Sequence, residues 1–255
     1  MTRNDPLRLV AIGDSTVEGL EDPGPDGAYV GWADRFASYL DVIHPGLLYA
    51  NLAVRGQTAH EVRLTQLRPA LAMRPDIAVV VAGVNDVLRP RLDRAALRDD
   101  LFAMHSELAA VGAKVLTLTM PDMARVAPLA VVLRGRFQFL NAVTHACADR
   151  YGSIVVDLAS VSAASHPALW HTDRLHANSE GHRRIAAGLA EALGCDVEDW
   201  RADPSPVAPS SRGRIAVNEA VWAVKNLLPW VWEHLHGQPP EAEVTCKRPE
   251  LRPVH

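Results

Sequence analysis

A serine near the start of the chain occupies a position where a nucleophile could act. Residues 9–12 read LVAI, and Gly13, Asp14 and Ser15 follow them directly. An apolar run that ends in a glycine predicts a buried strand followed by a tight turn. In open α/β sheets, ligands bind at the carboxyl ends of the strands. Because a serine hydroxyl is a poor nucleophile until a base takes its proton, the rest of the chain must supply that base.

A histidine and an aspartate far along the chain could complete such a site. The segment WHTDRLHANSEGH, residues 170–182, contains Asp173 and His176. An imidazole can accept the serine proton near neutral pH and pass it to a leaving group, and a nearby carboxylate can orient the ring. A metal site stays open as an alternative, because imidazoles and carboxylates also bind zinc, although a HEXXH spacing is missing. That alternative site would use His171, Asp173, His176 and His182.

Two more motifs lie between these segments. They are NLAVRG at residues 51–56 and VVVAGVND at residues 79–86. The order GDS, glycine block, G-x-N-D and D-x-x-H resembles that of the SGNH/GDSL hydrolase superfamily, over residues 7–194. The resemblance implies a flavodoxin-like three-layer α/β/α sandwich with a parallel sheet. It also implies a GDSL-type esterase or lipase that forms an acyl-enzyme on Ser15 and needs neither a cofactor nor a metal.

The resemblance further implies an oxyanion hole, which is a set of donors aimed at the charge that develops in the tetrahedral intermediate. Its members are the backbone N–H groups of Ser15 and Gly56 and the side-chain amide of Asn85. By residue type alone, Asn85 is equally suited to a turn or a helix cap, and Gly56 to an ordinary turn. Asp14 and Asp86 are expected to fix their loops rather than to react.

The substrate is predicted to be a small-molecule carboxylic ester, with small or medium acyl groups favoured. The sequence does not identify the acyl and alcohol parts of this ester. An acyltransferase that uses the same site, with an alcohol in place of water, is one alternative. A binding or scaffold protein without catalysis is the other.

The elements that must position these residues alternate along the chain. Strands are predicted at residues 7–12, 47–53, 77–82, 114–119 and 153–158, and helices at 31–42, 58–73, 92–111, 133–151 and 179–193. Such alternation predicts a parallel sheet with helices on both faces. Ser179 is expected to cap the last helix. Four histidines outside the base position are expected on the surface, namely His60, His105, His145 and His182.

Composition narrows the possible functions. The 255 residues carry a formal net charge of −4, and the chain has no basic stripe, so we expect no nucleic-acid partner. No apolar run has the length of a membrane span, and residues 1–6 are too polar for a signal peptide. Three scattered cysteines favour a reducing compartment over a disulfide framework. We therefore expect a cytoplasmic protein.

The C-terminal part of the sequence predicts a different organisation. Residues 1–201 are expected to form the catalytic domain, and residues 202–214 are rich in proline and serine, as in a linker. Residues 215–236 predict an amphipathic helix whose wide apolar face would dock on its own domain or on a second copy in a homo-oligomer. Residues 237–255, with four prolines, predict a disordered tail.

Overall fold

A six-stranded sheet lies at the centre of the structure. The computed structural model describes residues 5–25, 27–204 and 245–254. The strands are β1 (Arg8–Gly13), β2 (Leu48–Asn51), β3 (Ile77–Val81), β4 (Lys114–Leu118), β5 (Ile154–Val156) and β6 (Arg248–Pro253). They lie in the order β5-β4-β3-β1-β2-β6, with β1 to β5 parallel and β6 antiparallel to β2. The predicted five-stranded parallel sheet is confirmed.

Helices flank this sheet. In the described part of the chain they are α1 (Ser15–Glu18), α2 (Gly31–Ile43), α3 (Ala59–Val62), α4 (Arg68–Ala72), α5 (Val84–Leu88), α6 (Arg94–Ala110), α7 (Met123–Val126), α8 (Arg134–Tyr151) and α9 (Ser179–Ala192). A π-helical segment, Arg63–Leu67, joins α3 to α4, so the predicted helix at residues 58–73 is continuous. Short 3₁₀ segments lie at Pro128–Leu133, Leu158–Ser160, Ser162–Ser165 and Pro167–Leu169.

Alternate residues of β1 belong to two hydrophobic cores, because successive side chains of a strand point to opposite faces. Val10 and Ile12 belong to the core that includes residues of α6 and α8. Leu9 and Ala11 belong to the core that includes residues of α2 and α9. None of these four side chains is more than 1% exposed. This division into helix, sheet and helix layers confirms the predicted three-layer sandwich.

Two of the four histidines expected on the surface are buried, so that expectation is wrong for them. His105 is 1% exposed, and its Nδ1 lies 2.7 Å from the hydroxyl of Ser153. His182 is 2% exposed and bonds backbone groups through both ring nitrogens. His60 and His145 are exposed, as expected.

The predicted cap of the last helix is off by one residue. Asn178 caps α9, because its side chain accepts a hydrogen bond from the backbone N–H of Gly181 at 3.1 Å. Ser179 is instead the first residue within the helix. Both residue types suit an N-cap, and the backbone conformation decides between them.

The expectation of a disordered tail is wrong for its last part, since β6 forms an edge strand beside β2. Arg248 lies over the ring of Tyr49 at 5.2 Å, and its Nε donates to the Tyr49 carbonyl at 2.9 Å. Lys247 Nζ donates to the Asp34 carboxylate at 3.0 Å. Prolines are tolerated on an edge strand, where one side of the backbone needs no partner. The proline-rich composition therefore gave a misleading signal.

Other predictions for the C-terminal part fall outside the described residues. These are the helix at residues 215–236, its docking on the domain or in a homo-oligomer, and the linker from residue 205 onward. They stay predictions. Within the described ranges, no helix has both the length and the apolar character that crossing a bilayer requires.

Deleting residues 247–255 should lower the melting temperature, because it removes β6 and leaves the backbone groups of β2 unpaired at an open edge. Glu250→Ala is a matched control in the same strand, since that side chain is 68% exposed. Differential scanning calorimetry of both variants checks the prediction. Equal melting temperatures for the deletion and the full chain would contradict it.

Candidate active site

The turn after β1 holds Ser15 in a fixed position at the carboxyl edge of the sheet. A Cβ added to Gly13 would lie only 2.2 Å from the carbonyl oxygen of Val81 on β3, so no other residue type fits. Asp14 caps α1, and its Oδ1 accepts from the N–H of Thr16 at 3.0 Å. Ser15 then begins α1 and is 8% exposed.

A buried glutamine that the sequence reasoning missed braces the same turn. Gln66 Oε1 accepts from the N–H of Gly13, and Gln66 Nε2 donates to the Gly13 carbonyl, both at 2.8 Å. Gln66 is 3% exposed and belongs to the π-helical segment. Such segments often occur at functional sites, but a lone glutamine within a predicted helix gave no signal in the sequence.

Ser15, His176 and Asp173 meet in a hydrogen-bonded series, although 161 residues separate the first two. Ser15 Oγ lies 2.8 Å from His176 Nε2, and His176 Nδ1 lies 2.7 Å from Asp173 Oδ2. His176 is 9% exposed. An antiparallel bridge between Trp170 and Ala177 closes the loop that carries the two residues. The structure thus brings together the three residues predicted for the triad.

Asp173 is held as a carboxylate by its hydrogen bonds. Burial by itself would raise the pKa of Asp173, but the hydrogen bond and charge of His176 and the N–H groups of Leu175 and His176 lower that pKa to about 2. Those two N–H groups donate to Asp173 Oδ1 at 2.9 and 3.0 Å. The other oxygen, Oδ2, is thereby directed to the imidazole. A fixed carboxylate of this kind can orient the ring and stabilise its protonated form.

Asn85 lies in the first turn of α5 and Gly56 in the loop before α3, and both regions contact the segment that carries Ser15. Asn85 Nδ2 donates to the Gln57 carbonyl at 2.9 Å and lies 3.4 Å from Asp14 Oδ2. The backbone N–H of Arg55, next to Gly56, donates to Glu18 Oε2 on α1 at 3.1 Å. Gly56 itself is exposed and has a φ of 78°. Both residues are therefore attached to the segment that carries Ser15.

The two neighbouring aspartates have loop-fixing contacts of the kind expected. Complete burial raises the pKa of Asp14 to about 6, against the opposing hydrogen bonds of Thr16. Asp86 Oδ2 accepts from the backbone N–H of Ala59 at 2.8 Å. Burial raises the pKa of Asp86 as well. Asp86 thereby connects the G-x-N-D loop to the start of α3.

The alternative metal set predicted from the sequence does not come together as a whole. His182 Nδ1 accepts from the backbone N–H of Trp32, and His182 Nε2 donates to the Leu20 carbonyl, both at 3.1 Å. Neither nitrogen is available to an ion without breaking one of these bonds. His171 and Asp173 do lie together, but with Glu21 as their third neighbour.

A narrow apolar cavity of about 30 Å³ lies beside His176. Its walls include Val81, Leu118, Met120, Trp170 and Leu175. A larger pocket of about 220 Å³ shares Met120 and Pro121 with this cavity. The polar side chains that line the larger pocket are Asp122, Arg134, Gln138 and Asn141.

A serine, a histidine and an aspartate bonded in series at the edge of an α/β sheet form the arrangement that serine hydrolases use. A family model described as the GDSL-like Lipase/Acylhydrolase family matches residues 11–184, and the chain belongs to this family. It is therefore an enzyme of the carboxylic ester hydrolase class. A search of curated proteins found no matching relative.

Several solved structures share this fold. The chain is 22% identical to LAE5, an alpha/beta hydrolase from the metagenome of Lake Arreo in Spain, with a TM-score of 0.62 over 74% of this chain and 95% of that one. It is 20% identical to the acetylxylan esterase Axe2 from Geobacillus stearothermophilus, with a TM-score of 0.62 over 78% and 98%. It is also 20% identical to a lipase/acylhydrolase from Enterococcus faecalis, with a TM-score of 0.57 over 73% and 95%.

Asp173→Asn should weaken the acid dependence of stability. A carboxyl whose pKa falls from 3.8 unfolded to about 2 folded stabilises the native state above pH 4. That contribution, about 2 kcal/mol, disappears as the pH falls through 2. Between pH 5 and pH 2, the wild type should therefore lose more free energy of unfolding than Asp173→Asn, by about this amount. Urea titrations at several pH values measure these free energies of unfolding. Asp149→Asn, at an exposed aspartate, is the control. Equal losses of stability in the wild type and both variants would contradict the prediction.

Proposed function

We propose that this enzyme hydrolyses esters of short acyl chains through an acyl-enzyme on Ser15. One observation carries the proposal, namely the series in which His176 lies 2.8 Å from Ser15 Oγ and 2.7 Å from Asp173 Oδ2. A nucleophile, a base and an orienting carboxylate within hydrogen-bond reach are the requirements of this chemistry. Membership of the family favours catalysis over a scaffold role.

Each residue has a separate role in the proposed reaction. Ser15 Oγ attacks the ester carbonyl carbon while His176 Nε2 takes the hydroxyl proton. The C–O bond to the alcohol then breaks, and His176 returns the proton to the departing oxygen. Water next attacks the acyl-enzyme by the same route, and the acid is released. Asp173 keeps the ring oriented and stabilises the imidazolium in both halves.

The oxyanion is proposed to be held by three donors, the N–H groups of Ser15 and Gly56 and the amide of Asn85. Asn85 is anchored through its bond to the Gln57 carbonyl at 2.9 Å. Its second N–H is proposed to exchange the long 3.4 Å contact with Asp14 Oδ2 for the oxyanion. A donor that bonds the tetrahedral oxyanion more strongly than the ground-state carbonyl accelerates turnover rather than binding.

The dimensions of the cavity beside His176 favour short acyl groups. About 30 Å³ exceeds the roughly 10–15 Å³ that one water needs, so the space suits a methyl or ethyl group better than a long chain. The structurally similar Axe2 is named an acetylxylan esterase, and acetyl esters fit this space. The larger pocket, with its four polar side chains, is proposed to receive the alcohol part.

The proposed compartment is reducing and cytoplasmic. Cys147, Cys195 and Cys246 are all free thiols. Burial raises the pKa of Cys147 to about 12, so this thiol stays protonated and unreactive. Cys147 therefore has no part in the proposed reaction.

Ser15→Ala should lower ester hydrolysis by several orders of magnitude and leave the fold intact, because no other group can form the acyl-enzyme. The assay uses p-nitrophenyl acetate, and a fluorophosphonate probe followed by peptide mapping should label Ser15. Ser162→Ala, which changes an exposed serine, is the control. Adding an alcohol and analysing the products separates hydrolysis from acyl transfer. Full activity in Ser15→Ala would remove the nucleophile from the proposal.

Asn85→Ala should lower kcat by roughly 10²–10³ and change KM little, as for other oxyanion donors. Asn85→Asp should be at least as damaging, because a carboxylate would repel the developing negative charge. If Asn85 only closes a turn, Asn85→Ala would instead cost about 1 kcal/mol of stability and leave turnover unchanged. Steady-state kinetics together with thermal melts separate the two outcomes.

Met120→Ala should shift the preference toward longer acyl chains, because the substitution enlarges the cavity beside His176. The measurement compares kcat/KM for p-nitrophenyl acetate, butyrate and octanoate. Met123→Ala is the matched control, since Met123 lines the larger pocket but not the cavity. An unchanged ratio of butyrate to acetate in Met120→Ala would place the acyl group elsewhere.

A further inference from the structure

We propose that Glu21, His171 and Asp173 form a binding site for a divalent metal ion of the zinc type, and that its occupation inhibits the enzyme. The inhibition rests on the esterase function proposed above, whereas the binding does not. The reaction itself uses no ion. An ion bound there would therefore act as an inhibitor and not as a cofactor.

Ligand-type atoms from two loops converge at this cluster. His171 Nε2 lies 3.3 Å from Glu21 Oε2, and His171 Nδ1 lies 3.6 Å from Asp173 Oδ2. One ligand atom can be taken from each residue so that all three lie within 4.8 Å of one another. Ligands about 2.1 Å from a tetrahedral zinc ion lie about 3.4 Å apart. A single ion binds only one nitrogen of the ring. With Nδ1 as that ligand beside Asp173 Oδ2, the Glu21 side chain has to rotate from Nε2 toward Nδ1 to complete the first coordination sphere.

The donor set suits zinc. One imidazole and two carboxylates provide three protein ligands and leave a fourth position for water. Two carboxylates beside an imidazole would attract a divalent cation.

A second observation points to an unfilled ligand position. His171 Nδ1 is buried from solvent and has no hydrogen-bond partner among the described residues. Buried polar atoms in native proteins usually have a partner. This nitrogen faces Asp173 Oδ2 across 3.6 Å, which is too long for a hydrogen bond but suits two atoms that share a metal ion.

Asp173 connects the cluster to catalysis. The oxygen that faces His171, Oδ2, is also the acceptor for His176 Nδ1 at 2.7 Å. A cation on that oxygen would neutralise the charge that stabilises the His176 imidazolium, and proton transfer from Ser15 would become less favourable. The cluster residues do not line the cavity beside His176. Zinc should therefore lower kcat and leave KM nearly unchanged.

Titration of the purified full chain with zinc tests the inhibition. Zinc at micromolar to sub-millimolar concentration should lower kcat, and EDTA should restore it. Glu21→Gln and His171→Gln should keep the metal-free kcat. Each should need at least about 10-fold more zinc for half inhibition, since loss of even an outer-shell partner of a metal ligand costs roughly 10–100-fold in affinity. His60→Gln is the matched control, because His60 is an exposed histidine 3.2 Å from a carboxylate, that of Asp100. The control should respond to zinc as the wild type does.

Calorimetry with zinc on Ser15→Ala tests binding without turnover. It should show one site, and adding Glu21→Gln or His171→Gln should weaken that site by the same 10-fold or more. A protein without esterase activity that still binds zinc would refute the proposed function but not the site. An active enzyme that binds no zinc at about 1 mM would overturn the site alone. Binding and inhibition that neither substitution changes would also overturn it.

Discussion

The close approach of β1 to β3 is the constraint on which the rest of the site depends. The two strands pair from Leu9 with Ile77 to Gly13 with Val81, and only a glycine can occupy the last of these positions on β1. The pairing brings the serine turn and the G-x-N-D loop to the same edge of the sheet. Gln66 then satisfies both backbone groups of Gly13 from the side of the π-helical segment. The turn is therefore held by contacts that do not involve the histidine loop.

The surroundings displace the pKa values of two aspartates near the site in opposite directions. Asp14 is fully buried, and the resulting desolvation raises its pKa to about 6, whereas hydrogen bonds and the charge of His176 lower the pKa of Asp173 to about 2. Burial also lowers the pKa of His182 to about 4. This ring therefore stays neutral and can accept a bond from the N–H of Trp32. Asp173, which bonds the His176 ring, is thus the more acidic of the two aspartates.

The loop after α1 is braced from three directions. Asp22 accepts two hydrogen bonds from the Arg35 guanidinium at 3.0 Å and one from the N–H of Gly31 at 3.1 Å. His182 on α9 bonds Leu20 in the same loop. These contacts place Glu21 against His171, next to the histidine loop. The hydrogen bonds that hold this loop therefore lie close to the proposed triad.

The sequence by itself determined the parallel sheet, the five longer helical regions to within two residues and the three residues of the proposed triad. It did not predict the short helices α1, α5 and α7. Local patterns suffice there, because apolar runs, a glycine turn and a D-x-x-H spacing each depend on nearby residues. Only the tertiary structure decided the positions of Gln66, His182 and Glu21 and the addition of β6. Their roles depend on contacts between residues far apart in the chain, as the 53 residues between Gly13 and Gln66 illustrate. No local pattern specifies the distant partner of Gln66 in its helix or of the proline-rich segment that forms β6. Burial and strand pairing are properties of the folded chain.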